Sequence, residues 1–300
     1  MTSPTSTATP APSRTDVTAV VAVSVTVIAW ASAFIAIRWV GTSFAPGPLT
    51  LGRLVVGSAA LGVLLLIRGE WTSPNRREWL LITVCGLAWF AVYNIALNAA
   101  EQRLDAGTAA MLIGVGPILI AVLAGGLLGE GFPRWLIIGL LVAFSGAVLI
   151  GIATSQSTST DVAGVVLCLI AAATYAIGVL AQKPTLRRLP ALQVTWMAAT
   201  IGALACLPFG PTLVSEVGTA TAGANAGLLY LGLVPTAIAF TTWAYALARM
   251  DAGRLGVTTY LVPPITIIGA WVLLAEVPPT LALLGGALCL VGVAVSRRRG

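Results

Sequence analysis

The sequence predicts an all-α integral membrane protein of ten transmembrane helices, arranged as two inverted five-helix repeats. Three observations predict it. Charge is scarce, apolar runs of spanning length recur along the chain, and the second half echoes the first at a fixed offset. Of 300 residues, 58% are hydrophobic and 9% charged, against about 25% charged in a soluble domain. Such a chain cannot clothe a water-facing surface, yet lipid satisfies it because that solvent is itself apolar. The runs are continuously apolar rather than alternating, which excludes an outer-membrane barrel.

Taken in order, residues 1–16 are rich in Ser, Thr and Pro without periodicity, and are expected to form a disordered cytoplasmic tail. The next run, near 17–38, exceeds the ~7–15-residue core of a signal peptide and reads as a retained first span. Nine further spans fall near 47–67, 79–100, 106–129, 134–153, 162–181, 191–209, 224–247, 253–276 and 279–296. Each supplies about the 20 residues that cross ~30 Å of hydrocarbon. The seventh is the weakest, cut short by Pro208 and Pro211. The first repeat is placed at 17–153 and the second at 162–296.

Charge gives the orientation. With a cytoplasmic N-terminus, only Arg38, Arg53 and Arg103 of the 16 Lys and Arg fall outside. All others lie in cytoplasmic segments, the bias expected of short loops. Both termini are then cytoplasmic, in a multi-pass protein of the plasma (inner) membrane. The net charge of +6 is spread over loops rather than gathered in a patch, so nucleic acid is not an expected partner.

The repeat has an offset of 146 residues. Arg103-Leu104-Asp105-Ala106-Gly107 returns as Arg249-Met250-Asp251-Ala252-Gly253. In the same register Pro117 meets Pro263, Glu130 meets Glu276, Gly139 meets Gly285 and Gly146 meets Gly292. Shared apolarity does not align prolines, acids and glycines together. Five spans per half, an odd number, force the second half to enter the bilayer upside down. That is the inverted-repeat plan of secondary transporters, with a solute site at the midplane between halves.

These residues carry a resemblance. Trp30-Ala31-Ser32-Ala33-Phe34-Ile35-Ala36-Ile37-Arg38, Arg53, Asp105-Ala106-Gly107 with Pro117 and Glu130, and the copy Asp251, Pro263 and Glu276 resemble the drug/metabolite transporter superfamily in its EamA-type branch. The resemblance spans about residues 17–296 and implies ten spans moving a small metabolite, amino acid or drug, with efflux the leading direction. This chain departs from many such proteins in having no lysine in its first span and no carboxylate well inside any span.

Charge at mid-bilayer is expensive and so marks function, yet all ten acids are read in the tail, in loops or at span ends. The candidate solute site therefore rests on uncharged polar and aromatic groups. Asn94 and Asn98, four apart, share one helix face near Trp89 and Tyr93; the plainer reading is interhelical hydrogen bonding. Trp30, Tyr175, Trp243, Tyr245 and Tyr260 lie within apolar stretches. An interfacial belt competes there with a cavity lining, and Trp30 and Tyr175 occupy comparable places in the two halves. Arg53, a turn or two into its span, snorkels to the outer interface or else faces the cavity, where it suits a carboxylate or phosphate.

The mid-span prolines Pro117 and Pro263 are assigned to gating, since a helix bent at proline leaves carbonyls for neighbours or water to satisfy. Asp105 and Asp251 read as N-terminal caps, and Glu130 and Glu276 as acids beside the start of the next span. Gly139, Gly146, Gly285 and Gly292 read as close-packing faces. One rival reading, a membrane-embedded enzyme, meets a chain with no histidine and four isolated cysteines (Cys85, Cys168, Cys206 and Cys289); the other, a structural membrane protein without transport, lacks a reason for the paired mid-span prolines. No metal, cofactor or catalytic residue is expected, and the partners are a small solute, the lipid bilayer and, as a homodimer, a second copy at most.

Overall fold

The computed structural model describes residues 17–104, 109, 112–154, 161–274, 280–296 and 298. The expectations for the 1–16 tail, Asp105 and Glu276 fall outside them. Among the described residues the membrane protein has ten helices, two of them interrupted, and no strands. They are α1 (Val17–Val40), α2 (Pro46–Arg68), α3 (Arg76–Glu101), α4 (Val115–Leu127), α5 (Arg134–Thr154), α6 (Val162–Thr185), α7 (Ala191–Ala205) and α8 (Ala222–Leu247). Helix α9 is Ala252–Thr258, a 3-10 turn Thr259–Leu261 and Val262–Leu274; α10 is Thr280–Ser296. Helices α1, α2, α3, α6 and α8 are each long and apolar enough to cross a membrane unaided.

Local chemistry sets the boundaries. Proline in the first turn of α2 is pre-set for a helix, and Gly69 (φ 64°) ends that helix with its N–H on the Leu65 carbonyl. A capping box opens α3. Asn75 Oδ1 accepts from the Glu78 N–H at 2.9 Å, and Glu78 Oε2 accepts from the Asn75 N–H at 2.8 Å. The seventh span differs from expectation. Rather than stopping short, α7 continues beyond Cys206 as Leu207–Thr219, bent by 55°. Pro208 and Pro211 lie at this bend, where ring and missing N–H redirect the helix instead of ending it.

The repeat is visible in the elements themselves. Helix α3 opens into a π turn at Gly86–Val92, and α8 does so at Gly232–Ile238, residue for residue 146 later. Each π turn docks on the second helix of the opposite half. A Cβ on Gly86 would lie 2.7 Å from the Ala198 carbonyl, and one on Gly232 would lie 3.0 Å from the Arg53 carbonyl. Only glycine permits so close a backbone approach.

Inversion follows from how α5 meets α10. Gly139 sits against Gly292 and Ser296, whereas Gly146 sits against Gly285 and Cys289. As numbers rise on one helix they fall on the other, so the equivalent helices run antiparallel. Exchanging the halves maps the Gly139–Gly292 contact onto the Gly285–Gly146 contact. The Tyr260 hydroxyl donates to the Gly114 carbonyl at 2.5 Å, and Cys289 Sγ to the Ala143 carbonyl at 3.4 Å. Both are contacts between positions 146 apart, which places them on the pseudo-twofold relating the halves. All four cysteines are free and buried.

Loop contacts sort into two faces. One face joins Arg188 to Glu78 and to the Ser73 carbonyl, Gln193 to Thr72, and Glu130 to Ala252. The other joins Arg103 to Asp161 and Glu216 to the Ala45 N–H. Among the described residues, the segments that join α1 through α9 alternate between these faces, as successive crossings require.

Candidate functional site

A cavity of about 90 Å³ lies where α1, α2, α3, α4, α6, α8 and α9 converge. Trp30, Arg53, Asn94, Tyr175, Tyr260, Pro117 and Pro263 all line it, so seven of the eight candidate residues are brought together. Its wall is an aromatic box. Trp30 stands 5.0 Å from Trp243, 5.5 Å from Phe240 and 6.1 Å from Trp89, while Trp89 stands 5.2 Å from Tyr175. Tilted and edge-on pairs of this kind fix one another's orientation. Trp89, Tyr93 and Phe240 also line the space; Trp89 and Tyr93 were seen in sequence only as neighbours of the amides.

The π turn explains Asn94. Widening a helix to five-residue bonding frees carbonyls, and the Asn94 amide donates to two of them, Trp89 at 3.1 Å and Phe90 at 2.8 Å. In the equivalent turn the Thr236 hydroxyl donates to the Leu231 carbonyl at 2.8 Å. Thr236 then receives Arg53, whose Nε donates to its hydroxyl at 3.1 Å. Arg53 does not snorkel; it is 4% exposed. Its Nε carries the residue's one hydrogen bond among the described residues, leaving the two terminal nitrogens for the cavity.

Asn98 is not part of this wall. One turn of rise along α3, ~6 Å, carries it to a second chamber of about 180 Å³, lined by Arg38, Leu49, Asn98 and Glu101; Ile37 lines both chambers. Its Nδ2 donates to Thr50 Oγ1 at 3.0 Å and to the Pro46 carbonyl at 3.4 Å. Glu101 also corrects the expectation that no acid is buried. It ends α3, but both carboxylate oxygens are out of solvent without a hydrogen-bond partner. The signal was in the sequence, since Asn94, Asn98 and Glu101 form one polar stripe at helical spacing.

Three other expectations are redirected. Asp251 holds the N-cap position of α9 but makes no side-chain cap bond, leaning instead 3.7 Å from Arg254. Glu130 does the capping from the opposite half, accepting from Ala252 at 2.8 Å and Gly253 at 3.1 Å. Tyr245 faces away from the cavity, bonded to Thr18 and covered by the Arg249 guanidinium. Trp243 backs the box from behind, 1% exposed. On the Glu130 face, Lys183 also ties α6 to the end of α8, donating to the carbonyls of Leu247 and Met250.

Known proteins share this plan. The sequence profile of the EamA-like transporter family matches residues 17–152 and 162–298. A probable terminal-alkyne amino-acid exporter of Streptantibioticus cattleyicolor is 40% identical over 281 residues, 94% of each chain. The uncharacterized transporter YdfC of Bacillus subtilis is 31% identical over 266 residues, 88% of this chain and 86% of its own. A crystal structure 21% identical superposes with a TM-score of 0.77 over 94% of this chain and 96% of the other, a likeness of fold.

Proposed function

Because the chain belongs to the EamA-like transporter family, we propose that it exports a small amphipathic carboxylate of amino-acid type through the cavity between its halves. The protein is a multi-pass membrane transporter; the substrate, the site and the orientation are the proposal. One observation carries it: the Arg53 guanidinium, bonded only through Nε, lines an otherwise aromatic cavity. A buried cation without an anion is costly, and its free edge is a fork matched to a carboxylate. Trp30, Trp89, Tyr175 and Phe240 then take the apolar remainder. The Streptantibioticus relative, named as a probable terminal-alkyne amino-acid exporter, supports the same chemistry.

Alternating access gives the halves their task. Pro117 and Pro263 flank the cavity from equivalent helices, and both serve as the bends about which the halves rock. The Ile37 chamber is read as the extracellular route, and the face held by Glu130 and Lys183 as the closed cytoplasmic side, with both termini there in the plasma membrane. Counterflow in proteoliposomes tests the reading. Vesicles preloaded with L-leucine should accumulate labelled leucine with the wild-type chain, and Arg53→Gln should reduce the rate at least tenfold at unchanged melting temperature. An equal rate for wild type and variant would remove Arg53 from the site.

A further inference from the structure

We propose that Asn98 and Glu101 form a cation subsite beyond Ile37, built for a primary ammonium group. The inference rests on the transport cavity described above and extends it from a carboxylate to a zwitterion.

The case begins with unmet acceptors. Glu101 Oε1 and Oε2 and Asn98 Oδ1 are each buried without a hydrogen-bond partner. The two residues stand three apart at the end of α3, so they share a face, and both line the same chamber of about 180 Å³. Asn98 is 2% exposed. Its amide orientation is fixed, because the Pro46 carbonyl that receives Nδ2 can only accept. Oδ1 must therefore point elsewhere. Three acceptor atoms with no donor describe the complement of an ammonium group, which has three N–H donors and no acceptor.

Neighbouring cations do not fill the place. Arg53 and Arg38 are close enough for their charges to act on Glu101, but neither forms an ion pair with it. Arg53 is turned to Thr236, and Arg38 is exposed. The carbonyl end of α3 adds partial negative charge at the same spot. A hydroxyl or amide solute offers fewer donors and no charge; an ammonium matches a carboxylate in both. Arg53 lines one chamber and Glu101 the other, with Ile37 in the wall of both; an α-amino acid held between them would set its carboxylate toward the guanidinium and its ammonium toward Glu101.

Binding to the purified full-length chain, followed by quenching of the cavity tryptophans, tests this with three probes: L-leucine, 4-methylpentanoate and 3-methylbutylamine. The wild type should prefer leucine over 4-methylpentanoate by tenfold or more. Glu101→Gln should erase that preference by weakening leucine and 3-methylbutylamine alone, and Arg53→Gln should weaken leucine and 4-methylpentanoate instead. Equal wild-type affinity for leucine and 4-methylpentanoate, a comparison needing no variant, overturns the subsite while leaving the Arg53 reading in place. Glu101-dependent binding of the amine with no binding of either carboxylate keeps the subsite and removes the Arg53 reading. Absence of binding by all three overturns both.

Discussion

Sequence left Arg53 between the membrane interface and the cavity, and Asn98 between interhelical bonding and the solute site. From its place early in a span Arg53 has a route to water, and nothing in the chain reveals that Thr236, 183 positions away, receives its Nε. Asn98 does make the interhelical bonds that were its plainer reading. Its bonds to Thr50 and Pro46 tie α3 to α2, so Asn98→Ala should lower stability by about 1 kcal/mol, measurable as a fall in melting temperature in detergent. Unchanged melting would show those bonds to be idle. Arg53→Lys keeps a charge but loses the planar fork, and should still cost most of the transport rate in counterflow. At the membrane surface, the Gly164 amide, helped by Arg103, holds the Asp161 carboxyl below the usual carboxylate range. A depressed folded value stabilises above the unfolded value of about 3.9 and loses that stability as pH falls through the folded one. Melting temperature should therefore drop on acidification below about pH 4, and the drop should flatten in Asp161→Asn, which still caps α6.

Helices were the most legible level, because twenty apolar residues in a row admit few alternatives. What periodicity could not show is where helices deform. The π turns at Gly86–Val92 and Gly232–Ile238 have no apolar signature of their own, although they keep the 146-residue offset of the repeat. Capping across the halves was equally hidden, since Glu130 is 122 positions from Ala252. The glycines were readable as contact faces, and the contact is tight: a Cβ on Gly146 would meet the Gly285 carbonyl at 2.5 Å. Gly146→Val should destabilise by about 1–3 kcal/mol through overpacking, with melting temperature as the readout. Glu130→Gln keeps the shape of the cap but not its charge on the first turn of α9. It should loosen the face shared with Lys183, seen as faster labelling of a cysteine at Ala252.

At the scale of the whole molecule, one number organises the protein. The 146-residue offset aligns motifs, π turns and the Tyr260–Gly114 and Cys289–Ala143 contacts alike. Inversion was legible because five is odd; the cavity between halves was legible only as an expectation, since its walls come from seven helices. Topology makes a direct statement about sides. Cysteines replacing Ser73 and Thr42 should react with an impermeant maleimide from opposite faces, Ser73 from the cytoplasm and Thr42 from outside. Labelling of both from one face would break the alternation of crossings. The central claim, that the cavity opens to one side at a time, is tested at Thr259, a small residue on its wall. With Thr259→Cys in oriented proteoliposomes, maleimide should label from the Thr42 side alone without solute, and leucine should slow that labelling while permitting it from the Ser73 side. Labelling from both sides at once, at rates indifferent to leucine, would describe a pore and contradict alternating access.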